Sequence, residues 1–295
     1  MCLLCDLKTA ATTRQPGAFD TPPRQPPIWS ARRAFVLAAA SSATWPALAQ
    51  VDVGKASALR KLVPAGELEQ AAQQQYGQML QEAQQQKALL PASHPQVQRL
   101  RRMAQRMVKH TSPWNERAQR WSWEVNLIQS PQINAFCMPG GKIAFFTGIL
   151  DTLKLSDDEA AMVMGHEMAH ALREHARERL AKSSATSMGL RLGAQLLGLG
   201  ELGHAAADLG AQLLSLKFSR EDESEADLVG LELAARSAYQ PQASVTLWQK
   251  MTAASGASGP SFLSTHPSGP NRIHELQGNL PKVQGLYEAA LRTGG

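Results

Sequence analysis

Cysteine is scarce in this chain, with three in 295 residues. Two of them, Cys2 and Cys5, fall within the first 49 residues, which read as a leader. Cys137 stands alone in the remainder, so no internal disulfide is expected there and the thiol is expected to pack as a small hydrophobe. No cysteine sits at the expected cleavage point, which argues against a bacterial lipoprotein anchor. Excess charge is equally thin. The formal net charge is +5, but the leader holds five basic side chains (Lys8, Arg14, Arg24, Arg32, Arg33) against two acidic ones (Asp6, Asp20). About +2 is left for the rest, too little to argue for nucleic acid as a partner. Long apolar runs are missing too. The stretch Ala34 to Ala49 is interrupted by Ser, Thr and Pro and is too short to span a bilayer. The Leu-, Gly- and Ala-rich run from Ser187 to Leu216 is broken by Arg191, Glu201, His204 and Asp208. Amphipathic or buried helices with a Gly-rich joint are expected there. No transmembrane segment is expected after the leader, which leaves at most a peripheral association with a membrane. No internal repeat is present, so a helical-repeat array is excluded.

The leader follows the plan of a signal peptide: basic Arg32-Arg33, a short apolar segment, and small residues at Ala47-Leu48-Ala49. Cleavage is expected after Ala49. The arginine pair followed by Phe35 resembles a twin-arginine export signal, and a periplasmic location is the expectation. The rest divides into an N-terminal helical segment (50–95), a principal domain (96–280) and a C-terminal tail (281–295). The fold class is α+β, mostly α. Leu68, Ala72, Tyr76, Met79 and Ala83 recur at helical spacing, as do Val97, Leu100, Met103, Ala104 and Met107. The period then changes to two. Trp121, Trp123, Val125 and Leu127 alternate with Ser122, Glu124 and Asn126, as in a half-buried strand. Asn134–Met138 and Lys142–Thr147 flank a turn at Pro139-Gly140-Gly141. A small antiparallel sheet is therefore expected, packed against the helix that follows. Ser156 and Glu159 form a capping box at the start of that helix, which runs directly into His166.

The chemistry is concentrated in His166-Glu167-Met168-Ala169-His170. Residues four apart share a helix face, so both imidazoles can address one ion, and Glu167 lies beside them to take a proton from the water that such an ion activates. Zinc suits this task, at one Zn2+ per chain. A catalytic zinc needs a third protein ligand, and the acidic run Glu221-Asp222-Glu223-Ser224-Glu225-Ala226-Asp227 offers candidates. Glu223 and Asp227 are four apart, so one helix can present Glu223 to the metal and Asp227 to a ligand histidine. Spacing alone does not choose among Glu221, Glu223 and Glu225. His94, His110, His175, His204 and His274 are expected to be ordinary surface or core residues, His175 because it lies five after His170, off the ligand face.

Together with His266-Pro267…Arg272, these motifs resemble the zinc metallopeptidases related to CAAX prenyl endopeptidases, gluzincins with a HExxH…ExEAD pattern. Within them the chain looks like the bacterial periplasmic BepA-like branch. The resemblance spans roughly Gly77 to Leu276. It implies that Glu223 is the third ligand, that Asp227 supports a ligand histidine, and that Glu167, His266 and Arg272 are catalytic, the last two donating to the oxyanion. It also implies that Asn134, Ala135 and Phe136 belong to an edge that takes substrate as an added strand, and that His266 can occupy the open metal position in a latent state. The helical-repeat domain by which BepA-like proteins dock on assembly machinery has no counterpart, so that partner is not expected. The function implied is endoproteolysis of unfolded or misassembled envelope proteins. Two alternatives stay open: a chaperone-like factor that binds extended segments with little proteolysis, and a purely structural zinc with His266 as fourth ligand.

Overall fold

A computed structural model describes residues 51–184, 213, 216–254, 262–267 and 271–294. The leader, and the Ser187–Leu216 run apart from Leu213 and Leu216, lie outside the described residues.

Two helices open the fold, α1 (Ala65–Gln85) and α2 (Pro95–Val108). Each buries the face that its periodicity marks: Leu68, Ala72, Tyr76 and Ala83 on α1, and Val97, Leu100, Met103 and Met107 on α2. Three strands follow: β1 (Glu124–Ile128), β2 (Ala135–Met138) and β3 (Lys142–Phe146). The sheet has the order β1-β3-β2. It is mixed, which corrects the expectation of an antiparallel sheet. β2 and β3 form an antiparallel hairpin, Phe136 opposite Ala144, whereas β1 and β3 run parallel, Val125 opposite Ile143. The central strand has to be the one that tolerates burial on both faces, and Ile143, Ala144 and Phe145 are fully buried. Lys-Ile-Ala-Phe-Phe meets that demand, so β3 inserts between the other two. The hairpin turn carries Gly140 and Gly141 at φ +83° and +79°, a region open to glycine at little steric cost.

β1 begins at Glu124, later than the alternation of Trp121 and Trp123 implies, and it is buried on both faces. Val125 and Leu127 join the principal core with α2, while Ile128 meets Tyr76 and Ala72 of α1. Asn126 points to the α1 side and donates to the Tyr76 hydroxyl and to Glu124 Oε1, at 3.1 and 2.8 Å. A polar residue thus sits on a covered face because its hydrogen bonds are met there.

After a short α3 (Thr147–Thr152) comes the central helix α4 (Asp157–Arg173), buried along almost its whole length. The Ser156–Glu159 capping box forms as the sequence indicates, with Ser156 Oγ accepting from Glu159 N and Glu159 Oε2 accepting from Ser156 N. The helices α5 (His175–Ser184), α6 (Arg220–Arg236), α7 (Ala243–Ala254), α8 (Phe262–Thr265) and α9 (Arg272–Thr293) complete the described fold. α6 opens on a second reciprocal box, Ser219 with Asp222. The expected boundary between domain and tail at residue 280 falls inside α9, which continues through Pro281. Among the described residues, no helix is long and apolar enough to cross a membrane.

Candidate metal centre

α4 and α6 cross at a pair of glycines. A Cβ on Gly165 would lie 2.6 Å from Gly230 O, and one on Gly230 would lie 2.6 Å from His166 N. This contact brings the face of α4 that bears His166 and His170 directly against the acidic first turns of α6.

The donors converge as a result. His166 Nε2 and His170 Nε2 are 3.1 Å apart. Glu223 Oε2 is 3.5 Å from the first and Glu223 Oε1 is 3.4 Å from the second. His266, which follows α8, places Nδ1 3.0 Å from Glu223 Oε1 and 3.3 Å from His166 Nε2. Donor atoms of all four residues lie within 4.8 Å of one another, and all four side chains are buried. Glu221 is exposed and Glu225 turns to Arg173 and His175, so α6 brings only Glu223 of the three candidates into the cluster. Lone pairs crowded in this way favour a shared cation, and two imidazoles plus a carboxylate suit zinc. His166 Nδ1 lies 3.0 Å from Asp227 Oδ1. That contact holds the imidazole proton on Nδ1 and leaves Nε2 free to face the centre.

The electrostatics follow from burial and these contacts. Burial alone would raise Glu223, but hydrogen bonds to His166, His170 and His266 hold it below the carboxylate range. Asp227 is likewise raised by burial and brought below its usual value by Arg272 and His166. Burial pushes Glu167 up, with His266 and His166 partly opposing it. In the metal-free protein, burial lowers the His166 imidazole while Asp227 and Glu223 raise it, to about 9.

Glu167 and His266 both line a cleft of about 320 Å³, together with Asn134, Ala135, Phe136 and Cys137. β2 is the outer strand of the sheet on that side. Cys137 is partly buried and makes no disulfide among the described residues.

Arg272, expected as an oxyanion donor, pairs with two carboxylates of the site. Its Nε and Nη2 donate to Asp227, the latter at 2.7 Å, and its Nη1 donates to Glu223 at 2.8 Å. The guanidinium lies over the Trp248 ring, 3.4 Å from the centroid. It does not line the cleft that Glu167 and His266 share. Its donors are taken up behind the centre, so it braces two carboxylates there. Breaking a buried ion pair costs roughly 3–5 kcal/mol because it strands the partner charge. Arg272→Met is expected to lower the unfolding free energy of the metal-free chain by about that amount, as read by denaturant titration. An unchanged unfolding midpoint would show that these ion pairs do not hold the two carboxylates in place.

His175 is the residue that sequence reasoning set aside. It is buried and in contact with His170 (Nδ1 to Nδ1, 2.9 Å).

Paired histidines on one helix, faced by a carboxylate from a second helix and flanked by an edge strand, define the zinc metallopeptidase class. Residues 94–280 match Peptidase family M48, and the chain belongs to that family of zinc metallopeptidases. It is similar to the mitochondrial metalloendopeptidase OMA1 of Schizosaccharomyces pombe, 38% identical over 199 residues, covering 66% of this chain and 56% of that protein. Its similarity to the Saccharomyces cerevisiae mitochondrial metalloendopeptidase OMA1 is 33% over 216 residues, covering 69% and 61%. The beta-barrel assembly-enhancing protease of Escherichia coli matches at 29% over 170 residues, covering 54% and 34%. The chain therefore spans less than two thirds of each of these relatives.

These matches support the family but not the BepA-like branch, since the mitochondrial proteins match at higher identity over more of the chain. They also correct the periplasmic location, because the more similar relatives are mitochondrial by name. A basic, acid-poor leader occurs in segments addressed to more than one compartment, so those residues do not fix the destination.

Proposed function

We propose that this chain is a zinc-dependent endopeptidase that hydrolyses peptide bonds in extended, unfolded or misassembled protein. The observation that carries this reading is the buried Glu167 Oε1, which has no hydrogen-bond partner among the described residues, beside the His166–His170–Glu223 cluster at the foot of the β2 cleft. A buried carboxylate oxygen left without a hydrogen bond is costly unless it is used.

Zinc, when bound, polarises the scissile carbonyl and makes a water acidic enough to attack near neutral pH. His166, His170 and Glu223 would hold it. Glu167 takes the proton from the attacking water and returns it to the leaving amine. Its carboxyl is pushed up by burial, which suits a group that must hold a proton between the two steps. His266 Nε2 is 3.6 Å from Glu167 Oε1, within reach of the same reacting space, and would donate to the oxyanion. The outer edge of β2 would take substrate as an added strand. Main-chain hydrogen bonds then provide affinity with little sequence preference, and only extended chain can enter.

The zinc-loaded full chain is expected to cut casein, an unfolded protein, and to leave a folded protein without exposed extended segments intact. Chelation should abolish the cleavage and one equivalent of zinc should restore it, as read by gel and by released amines. Casein cleavage that persists after the metal has been removed would sink the reading, and binding without cleavage would favour the chaperone-like alternative.

A further inference from the structure

On an unbroken helix, residues five apart face different ways, yet His175 meets His170. The chain achieves this at Glu174, which caps α4 in the left-handed region at φ 60° before α5 begins at His175. The break turns His175 back under α4, where it is 2% exposed. Burying an imidazole is costly unless its nitrogens are satisfied, and both have partners here.

Two ring nitrogens 2.9 Å apart require one proton between them. To serve as a zinc ligand His170 must present an unprotonated Nε2, so its proton lies on Nδ1 and His175 accepts it with Nδ1. His175 then carries its own proton on Nε2, 3.3 Å from Glu225 Oε2. Glu225 is fixed in turn by Arg173 Nε, which donates to the same oxygen at 2.7 Å. Arg173 is itself anchored, with Nη2 donating to the carbonyls of Val53 and Gly54 at 3.3 and 3.1 Å.

We propose that Glu225 and His175 form a relay that fixes the tautomer and ring orientation of His170, as Asp227 does for His166. Both are positioning residues, acting through His170 and touching no substrate. α6 thus serves the centre with three acidic residues at alternate positions: Glu223 in the cluster, Asp227 on one imidazole, and Glu225 on the other through an inserted histidine. Phe218 stacks on His170 with ring centroids 4.0 Å apart and holds the ring from the side. The proposal rests on the metal-centre reading above.

The test uses the full metal-free chain. Zinc affinity is read by competition with a chromophoric chelator, and ligand geometry by the visible absorption of the cobalt(II)-substituted protein. Removing an outer hydrogen-bond partner of a metal ligand typically weakens metal binding about 10–100-fold. His175→Phe and Glu225→Ala are each expected to show that loss and a shifted cobalt spectrum. His175→Asn, which puts an amide oxygen near the position of Nδ1, and Glu225→Gln, which keeps an acceptor, are expected to recover most of the affinity. Glu225 is partly solvent-accessible, so its variants report on the relay even if His175→Phe does not fold. A shift in unfolding temperature alone, with parental zinc affinity and cobalt spectrum in both Glu225→Ala and His175→Phe, would overturn the relay and leave the metal centre standing. A parent chain that binds no zinc would overturn both.

Discussion

Glu167→Gln is expected to lower casein cleavage by about 10²–10⁴-fold, the usual contribution of a positioned general base, while zinc binding stays at the parental level. Glutamine fills the same volume, so the packing around this 2% exposed side chain is retained. What it loses is the ability to accept and return a proton. Glu167 is outside the cluster of candidate ligands, which is why metal content and activity should separate. Zinc stoichiometry and the rate of amine release, measured on the same preparations, decide the matter. Cleavage within about tenfold of the parent, below the range for such a base, would remove Glu167 from the chemistry. Equal loss of metal and activity would assign it a ligand role.

The second large effect concerns a residue without a functional group. Gly230→Ala should stabilise α6 by up to about 1 kcal/mol on helix propensity alone. The fold predicts the opposite. The new methyl would lie 2.6 Å from His166 N, 2.7 Å from Gly165 C and 2.9 Å from His166 Cα. These are backbone atoms of a buried helix, which cannot swing aside as a flexible side chain can. Overpacking of a core costs typically 1–3 kcal/mol and occasionally more, and the upper end, about 3 kcal/mol net, is expected here. The helices must also separate, which draws Glu223 away from His166 and His170. Weaker zinc binding should therefore accompany the lower unfolding free energy. A variant with parental stability in denaturant would show that the crossing is not as tight as described. Gly165→Ala meets Gly230 O at 2.6 Å and should behave alike.

Much of the site was legible because its elements are local. The histidine pair and Glu167 follow from helical period, and the two helical faces of α1 and α2 follow from apolar spacing. Ser156 with Glu159, and the glycine turn of the β2–β3 hairpin, are short-range signals whose partners lie within three residues or so. Alternation in β1 was read correctly as to period, but it could not reveal that α1 covers the second face and satisfies Asn126 with the Tyr76 hydroxyl.

The sequence by itself determined which residues share a face: His166 with His170, Glu223 with Asp227, Val125 with Leu127. Tertiary structure alone decided what each face meets. It set Glu223 in the cluster and Glu225 against Arg173 and His175, a choice that spacing left open, and it paired Arg272 with Asp227 and Glu223. It brought His175 back to His170 through a left-handed residue at Glu174, and set β1 parallel to β3. Dihedral preferences and side-chain period act over a few residues, and so can be read along the chain. The approach of α4 to α6 joins residues about sixty positions apart, and its closeness depends on two glycines whose only signal in sequence is the lack of a side chain.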